Sequence, residues 1–296
     1  MKICLLLVSI ILLSACQPAP LASTVTPTYP TLQLTLTQTI SPSLTPTHSD
    51  TPTAEISPSV EITPTAEITP LSLSKFEFCS PLEDETFESL PLILVNPLDI
   101  PPSFGQDTGH HGVDFAYYRR GERISIEGIE IYAIMAGKTV LTLDDDIPYG
   151  YAILIETPLT DLPNHIQDIL MAGYLPVPED PNYRLYCPEV TPPLLTDALA
   201  VYHLYAHMQT KPQSEQGDPI ACGEKLGTVG NSGYSSNPHL HLETRLGPSG
   251  ARFETMAHYE NTNTVEQMGN YCLWRMSGYY QLFDPFLLFD ALEAGT

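Results

Sequence analysis

Histidines of this 296-residue chain are concentrated in three short clusters. The first cluster reads Gly109-His110-His111-Gly112-Val113-Asp114. Residues four apart on an extended chain point to the same side, so His110 and Asp114 would project together while His111 projects away. Gly112 lies between these two residues and has no side chain to obstruct an ion. The spacing therefore predicts an imidazole and a carboxylate directed at one point, as a metal site requires.

The second cluster alternates between polar and apolar residues. It reads Asn237-Pro238-His239-Leu240-His241-Leu242-Glu243. A period of two places His239, His241 and Glu243 on one face of a strand and turns the two leucines toward a core. Glu243 would then either orient His241 or point into solvent, and the solvated position is the favoured interpretation.

The third cluster, Tyr202–Met208, ends an apolar run and contains Tyr205-Ala206-His207. Two imidazoles and one carboxylate that leave a position for water form a common catalytic zinc shell. Zinc in such a shell lowers the pKa of bound water to about 7 and polarises a carbonyl group. Each cluster alone is a weak signal, because a single histidine in a strand is more often an ordinary core or surface residue.

Together and in this order, the clusters resemble the motifs of the lysostaphin/LytM-type zinc metalloendopeptidases, which cut peptidoglycan peptides. The family pattern is His-x-x-x-Asp, then Tyr-x-His at the end of a strand, then a Gly-rich segment before His-x-His. This chain has these motifs as His110–Asp114, Tyr205–His207, Gly217–Pro238 and His239–His241. The resemblance covers roughly residues 107–157 and 200–246.

The resemblance implies one zinc ion per domain, held by His110, Asp114 and His241. It also implies that His207 and His239 are the catalytic residues beside the open coordination position. Hydrolysis of a peptide bond needs a base for the attacking water and proton donors for the oxyanion and the leaving amine. The sequence leaves open which of the two histidines takes which role.

The other histidines receive simpler interpretations. His111 is the rival first ligand, but its spacing of three to Asp114 places it on the opposite face of a strand. The remaining four are interpreted as ordinary surface residues: His48, His165, His203 and His258.

On this resemblance, the sequence predicts a zinc-dependent endopeptidase that hydrolyses peptide bonds in bacterial peptidoglycan stems or cross-bridges, with zinc-activated water attacking the scissile carbonyl. Two alternatives stay open. One is a non-catalytic relative that binds peptidoglycan or activates another hydrolase. The other is an exported zinc peptidase that acts on proteins outside the cell wall.

The N-terminus predicts export. Lys2 precedes an apolar run that is too short to span a membrane as a mature helix. The run ends in Leu13-Ser14-Ala15-Cys16, which resembles the lipobox of bacterial lipoproteins. This resemblance implies a signal peptide over residues 1–15, lipidation of Cys16, and an extracytoplasmic protein anchored to a membrane of the cell envelope by its lipid.

Composition divides the rest of the chain into two parts. Residues 16–72 consist mainly of Thr, Pro and Ser after Cys16, which predicts a disordered stalk because proline denies backbone hydrogen bonds and few apolar residues are available to form a core. Residues 73–296 predict one LytM-like domain. A net charge of -23 argues against nucleic-acid binding. The domain is expected to be a monomer.

Short apolar runs separated by Gly, Pro and Asp predict a mainly β domain, and the resemblance implies an antiparallel LytM-like sheet of the duplicated hybrid motif type. Residues 158–198 interrupt the strands as a long inserted loop, with a short helix near Asn164–Gly173. The aromatic C-terminal tail, Tyr271–Asp290, is interpreted as core packing. The predicted strands are Ile129–Met135, Lys138–Leu143, Tyr151–Glu156 and Ala200–His207.

The cysteines of the domain fit an exported protein. Outside the cytoplasm, four cysteines can form two disulfides in three pairings, and the sequence does not choose among them. Buried free thiols are the alternative. The four are Cys79, Cys187, Cys222 and Cys272.

Overall fold

The structure is a computed structural model, described here for residues 76–193 and 197–294. The predicted signal peptide, Cys16, the stalk, His48 and the boundary at residue 73 lie outside the described residues. Within the described ranges, no helix has both the length and the apolar character needed to cross a membrane.

Antiparallel strands dominate the described residues, which confirms the predicted mainly β fold. The strands are β1 (Leu94–Asn96), β2 (Val113–Phe115), β3 (Glu130–Tyr132), β4 (Gly137–Asp146), β5 (Gly150–Pro158), β6 (Leu199–Met208), β7 (Pro219–Ile220), β8 (Lys225–Thr228), β9 (Leu240–Pro248) and β10 (Gln281–Phe283). The helices are α1 (Asn164–Gly173), α2 (Val265–Arg275) and α3 (Pro285–Ala294).

The main sheet has the strand order β1-β2-β9-β6-β5-β4-β7, and every pairing is antiparallel. β10 pairs with the C-terminal half of β9, beside β2. β3 and β8 form a separate two-stranded sheet. The long central strands β9 and β6 carry the second and third histidine clusters, so their register decides which of these side chains meet.

Apolar side chains cover both faces of the central strands. Leu240, Leu242 and Tyr205 belong to one core cluster, together with residues of α1 and α3. Alternate residues of the same strands, such as Leu204 and Ala206, belong to a second cluster with α2. A sheet that is covered on both faces buries every side chain of its central strands, including the polar ones.

The segments that the sequence sets apart as an insertion and a tail contribute to the cover of both faces. In the tail, Tyr271, Trp274 and Tyr280 are at most 1% exposed, as expected for core packing. The insertion forms the predicted helix α1 at Asn164–Gly173, and its buried side chains Ile166 and Leu170 pack into the first cluster.

Among the described residues, two disulfides join segments that are distant in the chain. Cys187 of the insertion is bonded to Cys272 of α2. Cys79 is bonded to Cys222, which precedes β8. Among the three pairings left open by the sequence, the structure selects this one, because tertiary packing alone brings residues 85 and 143 positions apart into contact.

Candidate metal and catalytic site

Strand pairing assembles the first part of the site. The register of β2 against β9 places Asp114 directly opposite His241. His110 precedes β2 and is held by two backbone hydrogen bonds with Asp99, at 2.8 and 3.0 Å. All three side chains therefore project to the same side of the sheet.

Three donor atoms converge at this point. His110 Nε2 lies 3.1 Å from Asp114 Oδ1 and 3.2 Å from His241 Nδ1, and the remaining distance, from Asp114 Oδ1 to His241 Nδ1, is 2.9 Å. A tetrahedral zinc ion with bonds of about 2.0–2.1 Å separates its ligand atoms by about 3.3 Å. The triangle matches this spacing within a few tenths of an ångström. Among the described residues, these three are the group of His, Cys, Asp and Glu side chains close enough to hold a metal ion.

Neighbouring acceptors fix which nitrogen of each imidazole faces the triangle. His110 Nδ1 donates to the carbonyl oxygen of Pro97 at 2.9 Å, which leaves the Nε2 lone pair directed inward. His241 Nε2 lies 3.5 Å from Glu243 Oε2, which leaves Nδ1 facing Asp114. Imidazoles that bind metals commonly donate their second N–H to a carbonyl or carboxylate, as His110 does to Pro97. The donor set and its hydrogen bonds fit a zinc ion.

The electrostatics of the site favour a cation. Burial opposes ionisation of Asp114, but hydrogen bonds from His110 and His241 hold the pKa of this carboxyl well below its usual value. Burial also opposes protonation of His241, yet Asp114 and Glu243 outweigh it and raise the pKa of His241 to about 9. Two carboxylates thus stabilise positive charge at His241, and a metal ion would benefit from the same field.

Gly112 is required by the close approach of His241. A Cβ atom at this position would lie 2.7 Å from His241 Cε1 and 2.8 Å from Nε2. Any other residue would displace the imidazole, so the glycine allows β2 and its preceding loop to pack against the metal-facing side chain.

His207 and His239 lie beside the triangle, with their ring centroids 4.6 Å apart. His207 ends β6 with a left-handed backbone, at φ 59°, and its Nδ1 donates to the carbonyl oxygen of Ser232 at 2.8 Å. Burial and the two neighbouring imidazoles, His241 and His239, lower the pKa of His207 to about 3. The ring is therefore neutral, with an Nε2 lone pair that can accept a proton.

The other imidazole is oriented by the loop before β9. His239 Nδ1 donates to the carbonyl oxygen of Asn237 at 2.8 Å, so Nε2 is directed to the site, 3.5 Å from Asp114 Oδ1. His239 and Asp114 also line a groove of about 290 Å³, whose other walls include Tyr117, Tyr118 and Ser125. A substrate in this groove would contact His239 directly.

The structure thus brings together all five residues proposed from the three motifs: His110, Asp114, His207, His239 and His241. It does not bring in His111, which is 1% exposed and accepts a hydrogen bond from Arg245 Nη2 at 2.9 Å. Burial, with Arg275 and Arg245 nearby, lowers the pKa of His111 to about 2. This histidine is a neutral core residue, in agreement with its predicted position on the opposite face.

Three predictions of solvent exposure were wrong, because other segments of the chain pack over these side chains. Glu243 is fully buried rather than solvated, because the C-terminal tail covers its face of β9. His203 is also fully buried, and it contacts the hydroxyls of Thr157 and Tyr205. His258 is 6% exposed and donates to the carbonyl oxygen of Tyr186. His165 is exposed, as expected for a surface residue.

The sequence did not reveal several residues that support the site. Asn96 of β1 donates to Asp114 Oδ2 at 3.1 Å, and Tyr149 donates to Glu243 Oε2 at 2.9 Å. Ser232 orients His207 through its carbonyl oxygen. Asn96 and Tyr149 belong to none of the three clusters, so no local pattern marks them. Ser232 lies in the Gly-rich segment, which is the one signal that pointed to this loop.

Comparisons with known proteins agree with the motifs. Residues 194–253 match the model of peptidase family M23. This segment contains Tyr205–His207 and His239–His241 but not His110 or Asp114. Among curated protein sequences, none matches the chain.

Several solved structures are similar at low identity. A mutant catalytic domain of the prophage-encoded M23 protein EnpA from Enterococcus faecalis is 18% identical, with 59% of this chain and 86% of that chain covered and a TM-score of 0.31. The catalytic domain of the antimicrobial peptidase lysostaphin from Staphylococcus simulans is 18% identical, with 57% and 90% covered and a TM-score of 0.32. A zinc-containing peptidase from Vibrio cholerae is 18% identical, with 57% and 33% covered and a TM-score of 0.27.

These TM-scores are too low to carry a functional argument, and the match of the family model is the informative comparison. It confirms the resemblance to the lysostaphin/LytM-type peptidases in the part of the chain that holds two of the three histidine motifs. Residues 194–253, with Tyr205–His207 and His239–His241, are the part of the chain that is similar to peptidase family M23.

Proposed function

We propose that this protein is a zinc metalloendopeptidase that hydrolyses peptide bonds in bacterial peptidoglycan stems or cross-bridges. One observation carries the proposal: the donor atoms of His110, Asp114 and His241 form a triangle with sides of 2.9–3.2 Å, beside the imidazoles of His207 and His239. The M23 match supports peptidase chemistry. Peptidoglycan as the substrate comes from the family resemblance.

Zinc bound by His110, Asp114 and His241 would polarise a scissile carbonyl and make a water molecule more acidic. The chain supplies the proton transfers. His207 is neutral and offers Nε2 as a proton acceptor, because Ser232 occupies its Nδ1 hydrogen. His239 is fixed by Asn237 and presents Nε2 to the same space. Two oriented imidazoles meet the need for a base and for a donor to the oxyanion or leaving amine.

The surroundings of His239 support a peptide substrate. The groove beside this residue is open enough for a chain segment, with a volume of about 290 Å³, and it has mixed polar and aromatic walls. Tyr117 and Tyr118 lie two and three residues after the end of β2, which carries Asp114, so the groove and the metal triangle share this segment. A peptide bound against the two tyrosines would pass the triangle.

We further propose that the protein is exported and anchored through a lipid on Cys16. The disulfides Cys79–Cys222 and Cys187–Cys272 support this location, because such bonds persist in oxidising compartments. The lipobox-like sequence before Cys16 supports a membrane anchor, and the stalk over residues 16–72 would let the domain reach the cell wall.

The test combines metal content with product analysis. The purified protein is assayed for zinc by elemental analysis and incubated with peptidoglycan sacculi, and the released muropeptides are identified by mass spectrometry. About one zinc per chain and a new cleavage in a stem or bridge would support the proposal and identify the bond. Zinc with cleavage of casein but not sacculi would favour a peptidase of non-wall proteins, and absence of zinc would favour a binding module. His207→Ala is the control for a contaminating hydrolase.

A further inference from the structure

A buried network of polar contacts connects His241 to helix α2. Glu243 Oε2 lies 3.5 Å from His241 Nε2 and accepts a hydrogen bond from the Tyr149 hydroxyl at 2.9 Å. The other carboxylate oxygen, Oε1, accepts from Arg245 Nε. Tyr149, Glu243 and Arg245 are each at most 2% exposed, so water does not compete for these contacts.

The direction of the Tyr149 hydrogen bond is determined by its other two partners. Trp274 Nε1 lies 3.1 Å from the hydroxyl oxygen, and Arg275 Nη1 lies 3.3 Å from it. Indole and guanidinium nitrogens carry hydrogens and only donate. They therefore occupy both lone pairs of the hydroxyl, and its single hydrogen must be donated to Glu243.

The same logic extends to His241. Glu243 accepts from Tyr149 and from Arg245, and it faces His241 as a carboxylate. His241 Nε2 has no partner within hydrogen-bonding distance among the described residues, and Glu243 is the acceptor beside it at 3.5 Å. An Nε2 hydrogen faces the Glu243 carboxylate, which leaves Nδ1 available to bind a metal ion beside Asp114 and His110. A chain of polar contacts from α2 therefore ends at this imidazole and would favour the Nε2–H form when a metal ion is bound at Nδ1.

The α2 end of the network is itself anchored. Arg275 Nε donates to Asp107 Oδ1 at 2.7 Å, and Asp107 Oδ2 accepts from the hydroxyl of Tyr271 at 2.9 Å. Arg245 donates to the carbonyl oxygen of Tyr280 at 2.8 Å. Buried Arg245 is paired with buried Glu243, and half-buried Arg275 is paired with half-buried Asp107, so each charge of the network has an opposite charge beside it that favours one arrangement.

We propose that Tyr149 is a positioning residue for His241, that it acts through Glu243, and that Trp274 and Arg275 set the direction in which it donates. The inference rests on the proposed role of His241 as a metal ligand. Trp274 and Arg275 lie beyond the segment that matches the family model, residues 194–253, so the tail contributes to the metal site and not only to the core.

The test compares two substitutions that each remove one buried hydroxyl. Tyr149→Phe breaks the network. Tyr202→Phe is the matched control, because Tyr202 is fully buried and its hydroxyl donates to the carbonyl oxygen of Pro248, away from His241. Zinc dissociation constants are measured by chelator competition, and the melting temperature is measured on the metal-free proteins. The tautomer of His241 is read from ¹⁵N NMR of the zinc-loaded proteins.

We expect about tenfold weaker zinc binding in Tyr149→Phe, the lower end of the effect of substituting partners of metal ligands. The nitrogen shifts of His241 should change in this variant only. Tyr202→Phe should lower the melting temperature while its zinc affinity and His241 spectrum stay as in the wild type. If zinc affinity and the His241 signals are the same in both variants, the inference is overturned.

A second variant covers the case in which Tyr149→Phe does not fold. Trp274→Phe keeps an aromatic ring in the core and removes the indole N–H, and we expect a smaller loss of zinc affinity with the same change in the His241 signals. A wild-type protein that binds no zinc would overturn the proposed function and this inference together. Zinc binding that is insensitive to Tyr149 and Trp274 would overturn the inference alone.

Discussion

Asp114 and His241 face each other on adjacent antiparallel strands, with Asp114 Oδ1 and His241 Nδ1 2.9 Å apart although the residues are 127 positions apart in the chain. His110 belongs to the same short segment as Asp114. The pairing of β2 with β9 is therefore the step that assembles the proposed metal site. A shift of this register by one residue would turn His241 to the opposite face of the sheet.

The proposed ligand and the proposed proton acceptor should respond differently to truncation. His241→Ala removes one corner of the triangle, so zinc and activity should be lost together. His207→Ala leaves the triangle intact, so zinc should remain while activity falls about 10²–10⁴-fold, as for loss of a general acid or base. Elemental analysis and muropeptide release measure the two effects. Equal zinc content and equal turnover in both variants would contradict the assigned roles.

Gly112→Ala tests the close approach of β2 to His241. The new Cβ would lie 2.7 Å from the imidazole, so we expect weaker zinc binding and a loss of about 1–3 kcal/mol of stability from overpacking. Gly173→Ala is the control, because no atom lies within 4 Å of its Cβ position. The Gly173→Ala substitution should leave the free energy of unfolding unchanged or raise it slightly. The free energy of unfolding in denaturant and the zinc affinity are measured for both variants. If Gly112→Ala changes neither quantity, the close approach of Gly112 to His241 is contradicted.

His203 should make the stability of the metal-free protein depend on pH. Burial lowers its pKa from 6.5 in the unfolded chain to about 3 in the folded protein. Below pH 6.5 the unfolded state therefore binds the proton first, and stability is lost as pH falls from 6.5 toward 3. One such group contributes a slope of about 1.4 kcal/mol per pH unit.

The measurement is the free energy of unfolding between pH 7 and 4 in the presence of a chelator. His203→Gln should reduce the slope by about that amount. A slope that is the same in wild type and His203→Gln would show that His203 is protonated in the folded protein.

The two disulfides should both stabilise the domain, but only one is connected to the metal site. Replacing Cys187 and Cys272 by Ser, or Cys79 and Cys222 by Ser, should each cost about 2–5 kcal/mol. The Cys187 pair joins the insertion to α2, which carries Trp274. We expect the Cys187 pair alone to weaken zinc binding, as measured by chelator competition. An equal loss of zinc affinity in both double variants would indicate a general structural effect.

The membrane anchor has a simple test. Cys16→Ser removes the proposed lipidation site, and the protein should then move from the membrane to the soluble fraction in detergent phase partitioning, with unchanged activity on sacculi. Metabolic labelling with a fatty acid should mark the wild-type protein and not the variant. Unchanged partitioning would contradict lipid attachment at Cys16.

Local spacing indicated which side chains of the candidate site share a face, and the family resemblance assigned their roles. The His110–Asp114 interval and the alternation of His239 with His241 determine which side chains share a face, because this direction depends only on the period of a strand. The runs of apolar residues likewise predicted β4, β5 and β6, and the interval Asn164–Gly173 predicted α1, since such patterns act over a few residues.

Tertiary structure alone decided burial and long-range contacts. Glu243 and His203 lie on strands whose alternation the sequence reveals, but whether their environment is water or protein depends on distant segments packing there. The tail and the insertion cover both faces of the sheet, so these polar residues needed internal partners. For the same reason the cysteine pairing, the Asn96 contact and the link from Tyr149 to Glu243 became visible only in the fold. They join residues whose separation in the chain carries no periodic signal.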